Sequence, residues 1–268
     1  MNRKWGWMND FSRQKFEAEV AKKFLARANP PSILHRYRRP TDWMLAEISK
    51  CEIYASKPED LNDPFECSAP VCWNVDLMRR HWVDEYAPMR GLSANEALKE
   101  FESSWKWGVQ RMAEGLKQKT AQTGIVCFAA KPDSIRMWAY YAESHKGICV
   151  GYDTKYRPFN FAISVNYQNP DKPFDVFASL KDDPTEIANH IALRKAEEWS
   201  FEDEYRIPVN IEGMPRLISF ESAAIKEIRF GARIEPDFRE KVLRAVSVLP
   251  TRPKLIQMGC DFERFLLT

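Results

Sequence analysis

The sequence predicts an α+β fold: a mostly antiparallel sheet, open to being split, with flanking helices and one helical insertion over about 75–120. Three observations carry this. Strand-like and helix-like patterns alternate irregularly rather than as repeated βαβ units. No glycine-rich phosphate loop opens a helix after a strand, and no repeat or low-complexity linker divides the 268 residues. A composition of 44% hydrophobic and 29% charged residues suits one sizeable core with a solvated surface.

The elements follow in order. Asp10 can cap a helix whose Phe11, Phe16, Val20 and Phe24 share a face, and Pro30-Pro31 ends it, so residues 1–31 read as a docking helix before a single domain over 32–268. Ser32–Arg38 alternates as a strand, Thr41–Lys50 has helical spacing, and Glu52–Ser56 is a second strand. Lys57–Pro70 holds three prolines around Asn62-Asp63 and must be a structured loop. Val75–Lys119 turns helical, with Ser93 and Glu96 as a capping box and Trp82, Phe101, Trp105 and Trp107 as apolar bulk. Strands at Gly124–Ala129, Gly147–Tyr152 and Phe161–Tyr167 enclose a short helix over Asp133–Glu143. A helix opening at Asp183-Pro184 should run to about Trp199, followed by the strand Glu204–Asn210. Ile225–Phe230 is a strand, Pro236 starts the last helix, and Lys254–Met258 with Phe262–Leu267 should close the sheet.

Charge narrows the function classes. Lys and Arg number 40 against 38 Asp and Glu, a net charge of +2, so no global field draws the chain to nucleic acid or membrane. The longest apolar runs fall far short of a membrane span, and the N-terminal stretch lacks a secretory core, which together predict a cytoplasmic protein. Six scattered cysteines without paired metal spacing read as reduced structural thiols, and no metal is expected.

Four short motifs stand apart from core material: Leu34-His-Arg-Tyr-Arg38, Leu61-Asn-Asp-Pro-Phe-Glu66, the block from Met137 to Gly147 with Trp138, Tyr141, His145 and Gly147, and Trp199 with Glu204 and Arg206. In order and wording they resemble the bacterial family known as domain-of-unknown-function family 2971, over about Ile33 to Gly231. The sequence departs from that pattern at His35, Leu61 and Tyr140. The family is in turn remotely similar to ADP-ribosyltransferase folds. That similarity implies NAD as substrate, a protein or nucleic-acid acceptor, and a toxin or defence role. It also implies Arg36 or His35 as a first anchor, Ser56 as a second and Glu204 as the catalytic carboxylate.

The residue types suit such chemistry. A carboxylate at Glu204 would stabilise an oxocarbenium-like ribose. Arg36, Arg38 or Arg206 would hold pyrophosphate. Tyr37, Trp138 and Tyr141 could stack on a base, and Asn62 would shape a pocket wall. Each has a plainer reading: Glu204 and Arg206 as a cross-strand ion pair, Asn62-Asp63 as a turn cap, Trp138 and Tyr141 as core, His145 as a helix-end cap. On strand alternation, Arg36 with Arg38 and His35 with Tyr37 face opposite ways, so only one set is expected in a pocket. Two other functions stay open: a non-catalytic module binding a nucleotide or anionic ligand, and a hydrolase using Asp63, Glu66 and His145.

Overall fold

The structure, a computed structural model, describes residues 22–23, 25–68, 71–168, 173–183, 185–213, 215–264 and 266–268. The docking helix expected over 1–31 lies mostly outside them. Within the described residues, β1 (Ile33–Arg38) is followed by α1 (Asp42–Lys50) and β2 (Glu52–Tyr54). Thr41 caps α1 through its hydroxyl, and Cys51 ends it in the left-handed region at φ 52°. The segment that follows holds β3 (Val71–Cys72), α2 (Val75–His81), a π-helical turn over Trp82–Tyr86 and the long α3 (Ala94–Ala121). The Ser93–Glu96 capping box sets the start of α3.

Next come β4 (Thr123–Ala129), α4 (Ile135–Tyr141) and β5 (Ile148–Asp153). The strand expected over Phe161–Tyr167 is two short ones, β6 (Ile163–Ser164) and β7 (Asn166–Gln168), followed by β8 (Phe174–Asp175) and α5 (Val176–Asp182). The helix expected to run to Trp199 stops early: α6 spans Thr185–Leu193, and β9 (Arg194–Ala196) pairs in parallel with β7. Tertiary pairing there overrides a composition that favours helix. The remaining elements are β10 (Glu204–Asn210), β11 (Leu217–Ser219), β12 (Ile225–Phe230), α7 (Pro236–Ser247) and β13 (Lys254–Gln257). Cys260–Asp261 pairs only with Leu266–Leu267, so the C-terminal segment does not join the main sheet.

The main sheet has the order β13-β12-β5-β1-β4-β10-β6, and every pairing except β12 with β13 is antiparallel. The fold is therefore α+β. One face buries Leu34, Val126, Phe128, Tyr152, Ile207 and Ile228 under Met44 and Ile48 of α1 and Val242 and Val246 of α7. The other carries Tyr37, Ala129 and Cys149 under Met137 and Trp138 of α4. Pro208 sits in β10 beyond the two residues that β6 pairs, where its missing N–H costs no ladder bond on that side.

The sheet is split at its centre. β1 pairs with β5 along its whole length, yet it meets β4 at one residue pair, His35 with Ala129. Further along β4, Ile125 exchanges two backbone hydrogen bonds with Ser56 instead, at 2.9 and 2.7 Å. Between those two points β1 and β4 part, and the gap opens a cleft through the sheet.

Candidate functional site

The cleft has a volume of about 170 Å³ and is bordered by β1, β4, the loop after β2, α4 and the residues just before β10. His35, Arg36, Tyr37 and Arg38 all line it. The expectation that only one set could do so fails because the cleft is the gap between two strands rather than one face of a strand. Side chains of both faces of β1 border it.

On one face lie the guanidinium groups. Glu47 of α1 is buried and accepts the Tyr152 hydroxyl at 2.7 Å. Arg38 Nη2 reaches Glu47 at 3.0 Å, and Arg36 Nη1 stands 3.7 Å away. One carboxylate thus serves two arginines, and Arg36 Nη1 and Arg38 Nε are buried with no hydrogen-bond acceptor. Such donors are costly unless something accepts from them.

On the other face lies an interlocked ionic cluster. Register puts Glu204 opposite Ala129 and Arg206 opposite Cys127, so both project from β10 to the α4 side. Arg206 is 0% exposed and grips Glu204 bidentately, with Nε to Oε1 and Nη2 to Oε2 both at 2.9 Å. Its Nη1 donates to Glu66 at 2.6 Å and to the Ala192 carbonyl at 3.0 Å. Lys195, on β9, donates to Glu202 at 2.5 Å and to Glu204 at 3.3 Å. The Tyr141 hydroxyl donates to the other oxygen of Glu202, and Asn62 Nδ2 donates to that hydroxyl at 2.9 Å. The segment Lys57–Ser68 is therefore clamped onto the cluster through Asn62 and Glu66, while Asp63 caps the Phe65 amide at 2.9 Å.

Three carboxylates face two cations, and the proton affinities of Glu202 and Glu204 separate. Burial and the charge of Glu204 raise the pKa of Glu202 against the opposing pull of Lys195 and Tyr141. Burial acts upward on Glu204 too, but Arg206 and Lys195 outweigh it and hold that carboxyl below the usual carboxylate range. The signs give opposite linkage. Stability from Glu204 is present above the unfolded-state pKa and lost as pH falls through the depressed folded value. Stability linked to protonated Glu202 is full below the unfolded-state value and lost as pH rises through the elevated one. The expected result is that Glu202→Gln flattens the fall in urea midpoint above about pH 4.5. An unchanged slope would show that Glu202 titrates as a solvated acid.

Of the residues expected in a site, the structure places Glu204, Arg36, Tyr37, Arg38, Ser56, Asn62 and Tyr141 on the cleft wall. Trp138 and Arg206 are not there. Trp138 is 0% exposed, its indole donates to the Pro132 carbonyl at 2.9 Å, and its edge packs on Tyr37 with centroids 5.3 Å apart; it supports Tyr37 from behind. Arg206 is 0% exposed, and its guanidinium is engaged by Glu204, Glu66 and the Ala192 carbonyl. His145 does not border the cleft: it lies in the turn after α4, stacked on Trp138. Among the described residues no group of three or more His, Cys, Asp or Glu side chains is placed to hold a metal ion.

Residues 137–207 match the family described as Protein of unknown function (DUF2971). The matched segment runs from α4 to β10 and so contains Tyr141, Lys195, Glu202, Glu204 and Arg206, five members of the ionic cluster. No curated protein and no solved structure matches the chain. Among the described residues no helix is long and apolar enough to cross a membrane.

Lys195 and Glu202 are functional candidates that sequence reasoning missed. Lys195 lies within the helix that the sequence predicts, and only the β7–β9 pairing turns it inward. Glu202 did leave a signal: two residues from Glu204, it could have been read as a paired carboxylate. Asp203 between them, at φ 46°, makes the reversal that aims both inward.

Proposed function

We propose that the chain is an ADP-ribosyltransferase-like enzyme that breaks the glycosidic bond of NAD and transfers ADP-ribose to an acceptor or to water. The observation supporting this is the split sheet, whose gap has hydrogen-bond-hungry guanidinium groups on one face and a carboxylate pair on the other. A volume of about 170 Å³ is below the range of about 300–1,000 Å³ for pockets that enclose a drug-sized ligand, so it suits one end of a dinucleotide, with the rest over the rim.

In this reading the phosphates meet Arg36 and Arg38, and the nicotinamide ribose lies beside Glu202 and Glu204. The bond from the ribose anomeric carbon to the ring nitrogen breaks, nicotinamide leaves with the electron pair, and the carboxylates stabilise the positive ribose. Glu204 is already neutralised by Arg206, so Glu202 takes the proton of the attacking hydroxyl or water; a raised pKa makes it the stronger base.

The test is nicotinamide release from NAD by the purified protein. Glu202→Gln is expected to lower turnover by roughly 100-fold or more while leaving the circular dichroism unchanged. Glu204→Gln should do the same but with a loss of stability. Absence of release by the native protein, or full turnover in both variants, would remove the reading. A second reading, a non-catalytic module for a nucleotide or anionic ligand, is favoured by the bidentate engagement of Glu204. It predicts that NAD raises the melting midpoint without nicotinamide appearing.

A further inference from the structure

A second cavity, of about 210 Å³, lies across β9 from the cleft. Successive strand residues point to opposite faces, and here Lys195 lines the cleft while Arg194 lines this cavity. Asn29, Asn166 and Asn189 also border it.

Arg194 is poised rather than paired. Its guanidinium carbon stands 4.8 Å from the centroid of the Phe174 ring, which is itself stacked on His190 at 4.3 Å and 13°. Stacking occupies the flat face of a guanidinium and leaves its in-plane N–H donors to point outward. Among the described residues no carboxylate pairs with those donors. Glu186 and Arg27 also border the cavity; Glu186 acts on Arg194 through space, and its Oε1 accepts from Arg27 at 2.7 Å and from Asn189 Nδ2 at 3.0 Å. The opposite end of the Asn189 amide, Oδ1, is buried with no donor. The cavity thus offers a half-buried cationic fork and one orphaned buried acceptor, and the unmade bond at Asn189 Oδ1 is unfavourable until a ligand completes it.

We infer that this cavity binds a small hydroxylated oxyanion, its carboxylate or phosphate on Arg194 and its hydroxyl donating to Asn189 Oδ1. The inference is independent of the reading of the cleft.

Isothermal titration of the full chain carrying Arg38→Gln, which weakens competing anion binding in the cleft, tests it with two probes, inorganic phosphate and glycolate, at constant ionic strength. One saturable site is expected, and the tighter probe identifies whether phosphate or carboxylate is the natural head group. Adding Arg194→Gln should weaken binding about tenfold or more, and Asn189→Leu several-fold. Should Arg194→Gln fail to fold, Arg194→Lys, which keeps the charge but not the fork, should weaken binding several-fold. No saturable binding of either probe, or equal affinity with and without the Arg194 substitution, overturns the inference.

Discussion

Arg206→Met is expected to destabilise the protein by about 3–5 kcal/mol, measured as a fall in the urea midpoint with an unchanged slope. Arg206 is fully buried and is the bidentate partner of Glu204 as well as a partner of Glu66. Methionine fills much of the same volume, so the loss comes from two carboxylates left in an interior that no longer offers their partner. Lys195, 3.3 Å from Glu204 and 3.8 Å from Glu66, cannot satisfy both and Glu202 as well. The double variant Arg206→Met with Glu204→Met should lose less than the sum of the two single changes, because removing both ends of a buried pair costs less than removing one. A single-variant loss below about 1 kcal/mol would mean that water reaches the cluster, since that is the range of exposed pairs.

The second large effect is expected at Gly147. Three consecutive non-glycine residues before it, Glu143, Ser144 and His145, have φ of 48, 53 and 71°, so the chain leaves α4 through a left-handed turn. That turn brings Gly147 so close to β1 that a Cβ would overlap the Arg38 carbonyl oxygen, and the obstacle is backbone rather than a yielding side chain. Gly147→Ala should therefore cost about 3 kcal/mol, the upper end of overpacking, and should disturb the position of Arg38 in the cleft. Gly115→Ala is the control. It sits in α3 with open space around it, and the gain in helix propensity should stabilise the protein by about 0.5–1 kcal/mol. Equal outcomes at the two positions would refute the close-approach argument.

Much of this fold was legible because its signals are local. Ser93 and Glu96 mark the start of α3 whatever surrounds them, and the alternation of Ile33–Arg38 gives a strand with Leu34 inward. The end of α6 was illegible for the opposite reason: Leu193-Arg-Lys-Ala196 favours helix, and only its pairing with Asn166–Gln168 makes it a strand. The site divides in the same way. Arg36, Arg38, Asn62, Tyr141 and Glu204, which short motifs single out, all border the cleft. Lys195 is not singled out in that way, because its meaning depends on Glu66, Glu202 and Glu204, which converge on it only in the folded chain. Trp138 and Arg206 do not border the cleft, and an aromatic or an arginine within a motif gives no sign of whether it lines a cavity or braces the residue that does.

The single pairing of His35 with Ala129 has a mechanical consequence. It joins a four-stranded wing, β13-β12-β5-β1, to a three-stranded one, β4-β10-β6, as a hinge pin joins two leaves. Away from that pin, Arg38 on one wing and Cys127 on the other border the cleft with no ladder pairing between them. A guest seated there would touch both wings at once and take the place of the pairing that β1 and β4 do not make.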